Sequence, residues 1–120
     1  MTRILAVDDS PLMREMVRIA LDSAGFEVEQ AVDGQQALDM ARQSEFDLIL
    51  SDVNMPEMNG IELIRALRQE RSYRHTPILM LTTEASPERK REGKQAGATG
   101  WIVKPFDPAQ LVATMQRVLR

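Results

Sequence analysis

The sequence predicts an α/β domain in which helices cover a parallel sheet, and three observations carry that prediction. Short apolar runs rich in Ile, Val and Leu recur along the chain, each bounded by polar or turn residues, as strands buried on both faces do. Amphipathic stretches at helical spacing alternate with those runs. The composition is aliphatic, 43% hydrophobic but only 4% aromatic, which suits a sheet between helices better than an aromatic-rich sandwich.

The first strand is Ile4-Leu5-Ala6-Val7, closed by Asp8-Asp9. Ser10-Pro11 opens the first helix with an N-cap side chain and a proline whose missing N–H costs nothing at the first helical position. Met13, Val17, Ala20, Leu21 and Ala24 then recur at helical spacing until Gly25 stops the helix. Val28 to Val32 alternates as a second strand, and Asp33 with Gln36 opens the second helix as a capping box with an Asx oxygen. Leu48 to Leu50 is the third strand, and Asn59 with Glu62 caps the helix after it. Ile78 to Leu81 is the fourth strand, followed by a helix opened by Ser86-Pro87. Trp101 to Val103 is the fifth. Asp107-Pro108, with Gln110, opens the last helix, whose apolar positions run from Leu111 to Leu119.

At 120 residues the chain is one domain's worth. The scaling of surface with mass predicts roughly 6,600 Å² folded against about 19,700 Å² extended, enough burial for a core without staples. There is no cysteine, so disulfides, zinc–thiolate sites and thiol catalysis are excluded. Fifteen basic against eighteen acidic residues give a net charge of −3, which argues against a nucleic-acid binder. No run approaches a membrane span, and the N-terminal run is too short for a signal peptide, so a cytoplasmic, monomeric protein is expected. A single domain over residues 1–120, with no output domain after the last helix, is expected as well.

In a parallel α/β sheet ligands bind at the edge formed by the strands' carboxyl ends. The residues expected there are Asp8 and Asp9 after the first strand, Asp52 after the third, Thr82 and Thr83 after the fourth, and Lys104-Pro105 after the fifth. An Asp-Asp pair alone reads as helix capping and solvation; a third carboxylate at the same edge changes the reading. Packed carboxylates repel, and a divalent cation relieves the repulsion. Oxygen-only donors select a hard ion, Mg²⁺ or Mn²⁺. The chain uses twelve Arg and three Lys, so a lysine ending a buried strand stands out. Its compact ammonium can balance the acids at rest and bind a phosphoryl oxygen later.

The motifs Val7-Asp8-Asp9-Ser10, Asp52-Val53-Asn54-Met55-Pro56 with Gly60, Leu81-Thr82-Thr83-Glu84-Ala85, Ala96-Gly97-Ala98 and Lys104-Pro105-Phe106 resemble those of response-regulator receiver domains over the full chain. The likeness is strongest to the single-domain chemotaxis regulators of the CheY type. It implies a flavodoxin-like (βα)5 fold with strand order 2-1-3-4-5 and helices on both faces. It implies a phosphoacceptor, Asp52, charged by a histidine kinase such as a chemotaxis kinase. It further implies Mg²⁺ held by Asp8, Asp9, Asp52 and the backbone carbonyl of Asn54. Thr82 and Lys104 would contact the phosphoryl oxygens, and Asn54 and Glu84 would tune the lifetime of the phosphoryl group. Trp101 stands where the family carries a switch Tyr or Phe, on a partner face made by the fourth helix, fifth strand and fifth helix. Output would then be an effector such as a flagellar-motor switch protein, with an auxiliary phosphatase as a further partner. The chain would assist its own phosphotransfer and dephosphorylation without turning over a separate substrate.

Other readings fit the residues less well. The nearest rival is a stand-alone phosphorelay intermediate, or another single-domain response regulator, that passes its phosphoryl group onward. A haloacid-dehalogenase-type phosphatase needs a carboxylate two residues after its nucleophile, where this chain has Asn54. A flavodoxin-like FMN binder needs a phosphate loop where this chain has Asp8-Asp9, which would repel a phosphate. His75 is expected at the opposite edge of the sheet, away from the acids, and Arg89-Lys90-Arg91 as a solvated helix face.

Overall fold

A computed structural model describes residues 2–83 and 85–119. The elements run β1 (Arg3–Val7), α1 (Pro11–Ser23), β2 (Glu27–Ala31), α2 (Gly34–Gln43), β3 (Leu48–Ser51), α3 (Gly60–Gln69), a 3-10 turn (Arg71–Tyr73), β4 (Ile78–Thr82), α4 (Pro87–Ala96), β5 (Gly100–Val103) and α5 (Pro108–Val118). All strand pairs are parallel, in the order β2-β1-β3-β4-β5 that the resemblance implies.

Alternation of side chains along each strand divides the core in two. Leu5, Val7, Ile49, Ile78 and Met80 pack on the side of α2 and α3 with Leu38, Ile61, Ile64 and Leu67. Ile4, Ala6, Leu48, Leu50, Leu79 and Leu81 pack on the other side with Val17 and Leu21 of α1 and Leu111 and Met115 of α5. Both faces are covered, which is why these strands read as continuous apolar runs. The folded surface of 6453 Å² agrees with the size expected of the chain.

Several element boundaries differ from the sequence expectation for identifiable reasons. β2 begins at Glu27, paired with Arg3, and ends at Ala31; Val32 is exposed and outside the strand. α5 begins at Pro108 behind its cap Asp107, as expected, but ends at Val118 rather than Leu119. Asn59 and Glu62 form the full capping box. At α2 the reciprocal arm is displaced: Asp33 accepts from Gln36 N–H, but the Gln36 side chain accepts from Val32 N–H. Met16 is exposed, whereas Met80 and Met115 are fully buried.

Two anchors were not visible in the sequence. The Tyr73 hydroxyl is buried, donates toward Ala41 and Ser44 carbonyls, and accepts from Phe46 N–H. Arg68 of α3 donates to the carbonyls of Tyr73, Thr76 and Gly97, tying the turn before β4 to the end of α4. Gly97 caps α4 at φ 115°, a left-handed conformation that a glycine adopts without strain.

Candidate functional site

The parallel register fixes which side chains meet at the carboxyl edge. Val7 pairs with Ser51, so the next residues, Asp8 and Asp52, emerge side by side, and Asp52 N–H donates to Val7 carbonyl at 2.9 Å. Thr82 pairs with Val103, and Lys104 N–H donates to Thr82 carbonyl at 3.0 Å. Residues distant in sequence are thereby brought to one pocket.

Asp8 is held at each polar atom. Its N–H donates to Ala31 carbonyl at 3.2 Å, and its carbonyl accepts from Arg14 Nη1 at 2.6 Å. Oδ1 accepts from Ser10 N–H at 2.9 Å, and Oδ2 accepts from Lys104 Nζ at 2.7 Å. Asp52 accepts from Val53 N–H at Oδ1, 2.7 Å, and from Lys104 Nζ at Oδ2, 3.2 Å. Asp9 is exposed, and its carboxylate makes no hydrogen bond among the described residues. Oxygens of Asp8, Asp9 and Asp52 lie within 4.8 Å of one another. An all-oxygen, acidic donor set of this size fits a hard divalent cation and offers nothing to a thiophilic one.

The Lys104 side chain is 10% exposed between two carboxylates as deeply buried as itself. Burial alone would push its ammonium down, but the Asp8 hydrogen bond and the charges of Asp52 and Asp8 outweigh burial, and its pKa lies above the ordinary lysine value. The Lys104-Pro105 peptide is cis. Gly60, at the start of α3, lies so close to Asp52 that a Cβ there would meet the Asp52 carbonyl oxygen and the Met80 methyl group. A glycine at that position lets the α3 N-terminus approach the β3 end.

Thr82 is fully buried at the end of β4, and Thr83 is exposed. Asn54 is exposed in the loop after β3. Trp101 of β5 is half-buried and packs against α4, where a Cβ on Gly93 would collide with its ring. Lys90 and Lys94 line the same α4–β5 groove. Glu84 lies outside the described residues. His75 is exposed in the turn before β4, at the opposite edge, as expected. Arg14 was not singled out from sequence, because an arginine in an amphipathic helix carries no signal of its own.

Residues 4–116 match the response regulator receiver domain family. The chain belongs to that family. Chemotaxis protein CheY-3 of Vibrio cholerae is 41% identical to it over 97% of this chain and 90% of that protein. The solved chemotaxis protein CheY4 of Vibrio cholerae superposes with TM-score 0.95 at 58% identity, covering 98% of each chain. The receiver domain of a sensor histidine kinase from Pseudomonas aeruginosa PAO1, solved with a magnesium ion coordinated in its active-site cleft, superposes with TM-score 0.92 at 32% identity, covering 98% of this chain and 97% of that one.

Proposed function

We propose that this receiver domain is a phosphorylation switch that takes a phosphoryl group from a histidine kinase onto Asp52 and, in that state, binds an effector protein. The observation that carries the reading is the pocket itself: Lys104 bridges Asp8 and Asp52, with the exposed carboxylate of Asp9 beside them.

In the transfer, a carboxylate oxygen of Asp52 attacks phosphorus, the P–N bond to the donor imidazole breaks, and a P–O bond to Asp52 forms. A carboxylate is a weak nucleophile, so the rate rests on positioning and charge neutralisation. Mg²⁺ bound by Asp8, Asp9, Asp52 and the Asn54 carbonyl would neutralise charge on the phosphoryl oxygens. Lys104 already spans the Asp8–Asp52 gap and can exchange its Asp52 contact for a phosphoryl oxygen. Thr82, buried at the end of the neighbouring strand β4, would contact the same group through its hydroxyl.

The reading of the output face rests on α4, β5 and α5. Trp101 joins that face to the site through β4, because Thr82 and Trp101 lie on paired strands. Likeness to two chemotaxis proteins favours a chemotaxis kinase as donor and a flagellar-motor switch protein as effector; the same reading takes the chain to act as a cytoplasmic monomer. Among the described residues no helix is long and apolar enough to cross a membrane. The domain would catalyse only its own phosphorylation and dephosphorylation, with Asn54 and Glu84 setting the lifetime of the mark.

The test is incubation with acetyl phosphate in Mg²⁺ and in EDTA. The reading predicts an acyl phosphate, released by hydroxylamine, that forms only with the metal. Labelling that is absent in Mg²⁺, or undiminished in EDTA, would contradict it.

A further inference from the structure

The three carboxylates of the pocket are not held alike. Asp8 and Asp52 each have both carboxylate oxygens hydrogen-bonded, to Ser10, Val53 and Lys104. Among the described residues Asp9 has no such partner, so the placement of its backbone sets the direction from which its carboxylate approaches the pocket. The peptide that carries Asp9 is the one whose carbonyl belongs to Asp8, and that carbonyl accepts from Arg14 Nη1 at 2.6 Å.

Arg14 reaches this carbonyl from the second turn of α1. The loop between them is closed on itself: Ser10 N–H binds Asp8 Oδ1, the Ser10 hydroxyl caps Met13 N–H, and Arg14 returns to Asp8. The Arg14 side chain shares a small cavity with Asp8, Ser51 and Asp52 and with the aliphatic Val17, Leu50 and Leu81. A guanidinium suits that place, because it stays charged in partly apolar surroundings and can direct an N–H at one carbonyl oxygen.

We propose that Arg14 is a positioning residue for the metal site: by holding the Asp8–Asp9 peptide plane it aims the Asp9 carboxylate at the cation. The proposal rests on the Mg²⁺ reading given above. Ligands must be held to within about half an ångström of productive geometry, and groups that orient ligands without touching the metal contribute strongly to affinity.

Charge and position make opposite predictions. As a mere charge, Arg14 would repel a cation, so removing it would tighten binding. As a positioning group, removing it would weaken binding even though a positive charge is lost.

The experiment is calorimetric titration of the full chain with MgCl₂, without phosphoryl donor, for wild type, Arg14→Met and Arg14→Lys. Melting in EDTA identifies which variants are folded, and the Lys variant decides if the Met variant is not. The expected result is Mg²⁺ affinity roughly tenfold weaker in both, because the shorter ammonium keeps the charge but loses the reach. Wild-type affinity in both variants, or tighter binding in Arg14→Met with no change in Arg14→Lys, overturns the proposal. A wild-type protein that binds no Mg²⁺ overturns the metal reading itself, and this proposal with it, an outcome distinct from variants that match a binding wild type.

Discussion

Lys104 and Asp8 stand ninety-six positions apart in the chain, yet their side chains form a 2.7 Å ion pair at the carboxyl edge of the sheet. The same ammonium reaches Asp52 at 3.2 Å, so one cation holds two carboxylates that would otherwise repel. The pocket is thus poised by an internal counter-ion, and its behaviour toward metal, pH and substitution follows from that arrangement.

The pH dependence of the Lys104 contribution has a definite sign. Its folded pKa lies above the ordinary value of 10.5, so the stability it contributes is fully present below that value and is lost as pH rises through the higher folded pKa. Lys104→Met leaves two buried carboxylates without a cation and is expected to cost on the order of 3 kcal/mol without metal. Urea unfolding of both proteins should give a difference that is constant from neutral pH to about pH 10 and shrinks only beyond the ordinary lysine range. A difference that already falls between neutral pH and pH 9 would contradict the assignment.

Mg²⁺ should raise the melting temperature of the wild type, because a ligand that binds only the native state stabilises it by mass action. At ten times its dissociation constant the gain is about 1.4 kcal/mol. Asp9→Ala should lose most of the gain while melting near the wild type in EDTA, since Asp9 is exposed and its side chain makes no hydrogen bond among the described residues. Thermal melts of both proteins with and without the metal check this.

Gly93 and Trp101 form a size-matched pair across α4 and β5. Alanine at an interior helix position normally gains up to about 1 kcal/mol over glycine. Here its Cβ would collide with the indole. Gly93→Ala should therefore displace the ring and increase acrylamide quenching of Trp101, the only tryptophan, without the usual gain in stability. Unchanged quenching together with a full helical gain would show that the ring does not depend on that space.

The parts of this molecule that were legible in the sequence are those with a period or a fixed spacing. Ile4 to Val7 and Ile78 to Leu81 read as strands because both faces are buried, and Ser10-Pro11 and Ser86-Pro87 read as helix starts because capping is local. The acidic pocket was legible because a parallel sheet sends every strand end to one edge. Arg14, Arg68 and Tyr73 were not, since each acts on a backbone carbonyl that no residue pattern marks: Arg14 turns back across the β1–α1 loop to Asp8, while Arg68 and Tyr73 reach Gly97 and Ala41 on other elements. The seat for Trp101 at Gly93 was hidden for the same reason: the glycine answers to a ring on another element. Val32 fits the alternation of β2 yet stays exposed, so periodicity overran the strand by one residue.

The proposed switch depends most directly on the chemistry of Asp52. Wild type and Asp52→Asn should be treated with acetyl phosphate and Mg²⁺, the acyl phosphate trapped by borohydride, and the modified peptide sequenced by mass spectrometry. The predicted result is modification at Asp52 alone in the wild type, and little or none in a folded Asp52→Asn protein. Modification at another residue in the wild type, or labelling of Asp52→Asn as complete as that of the wild type, would contradict it.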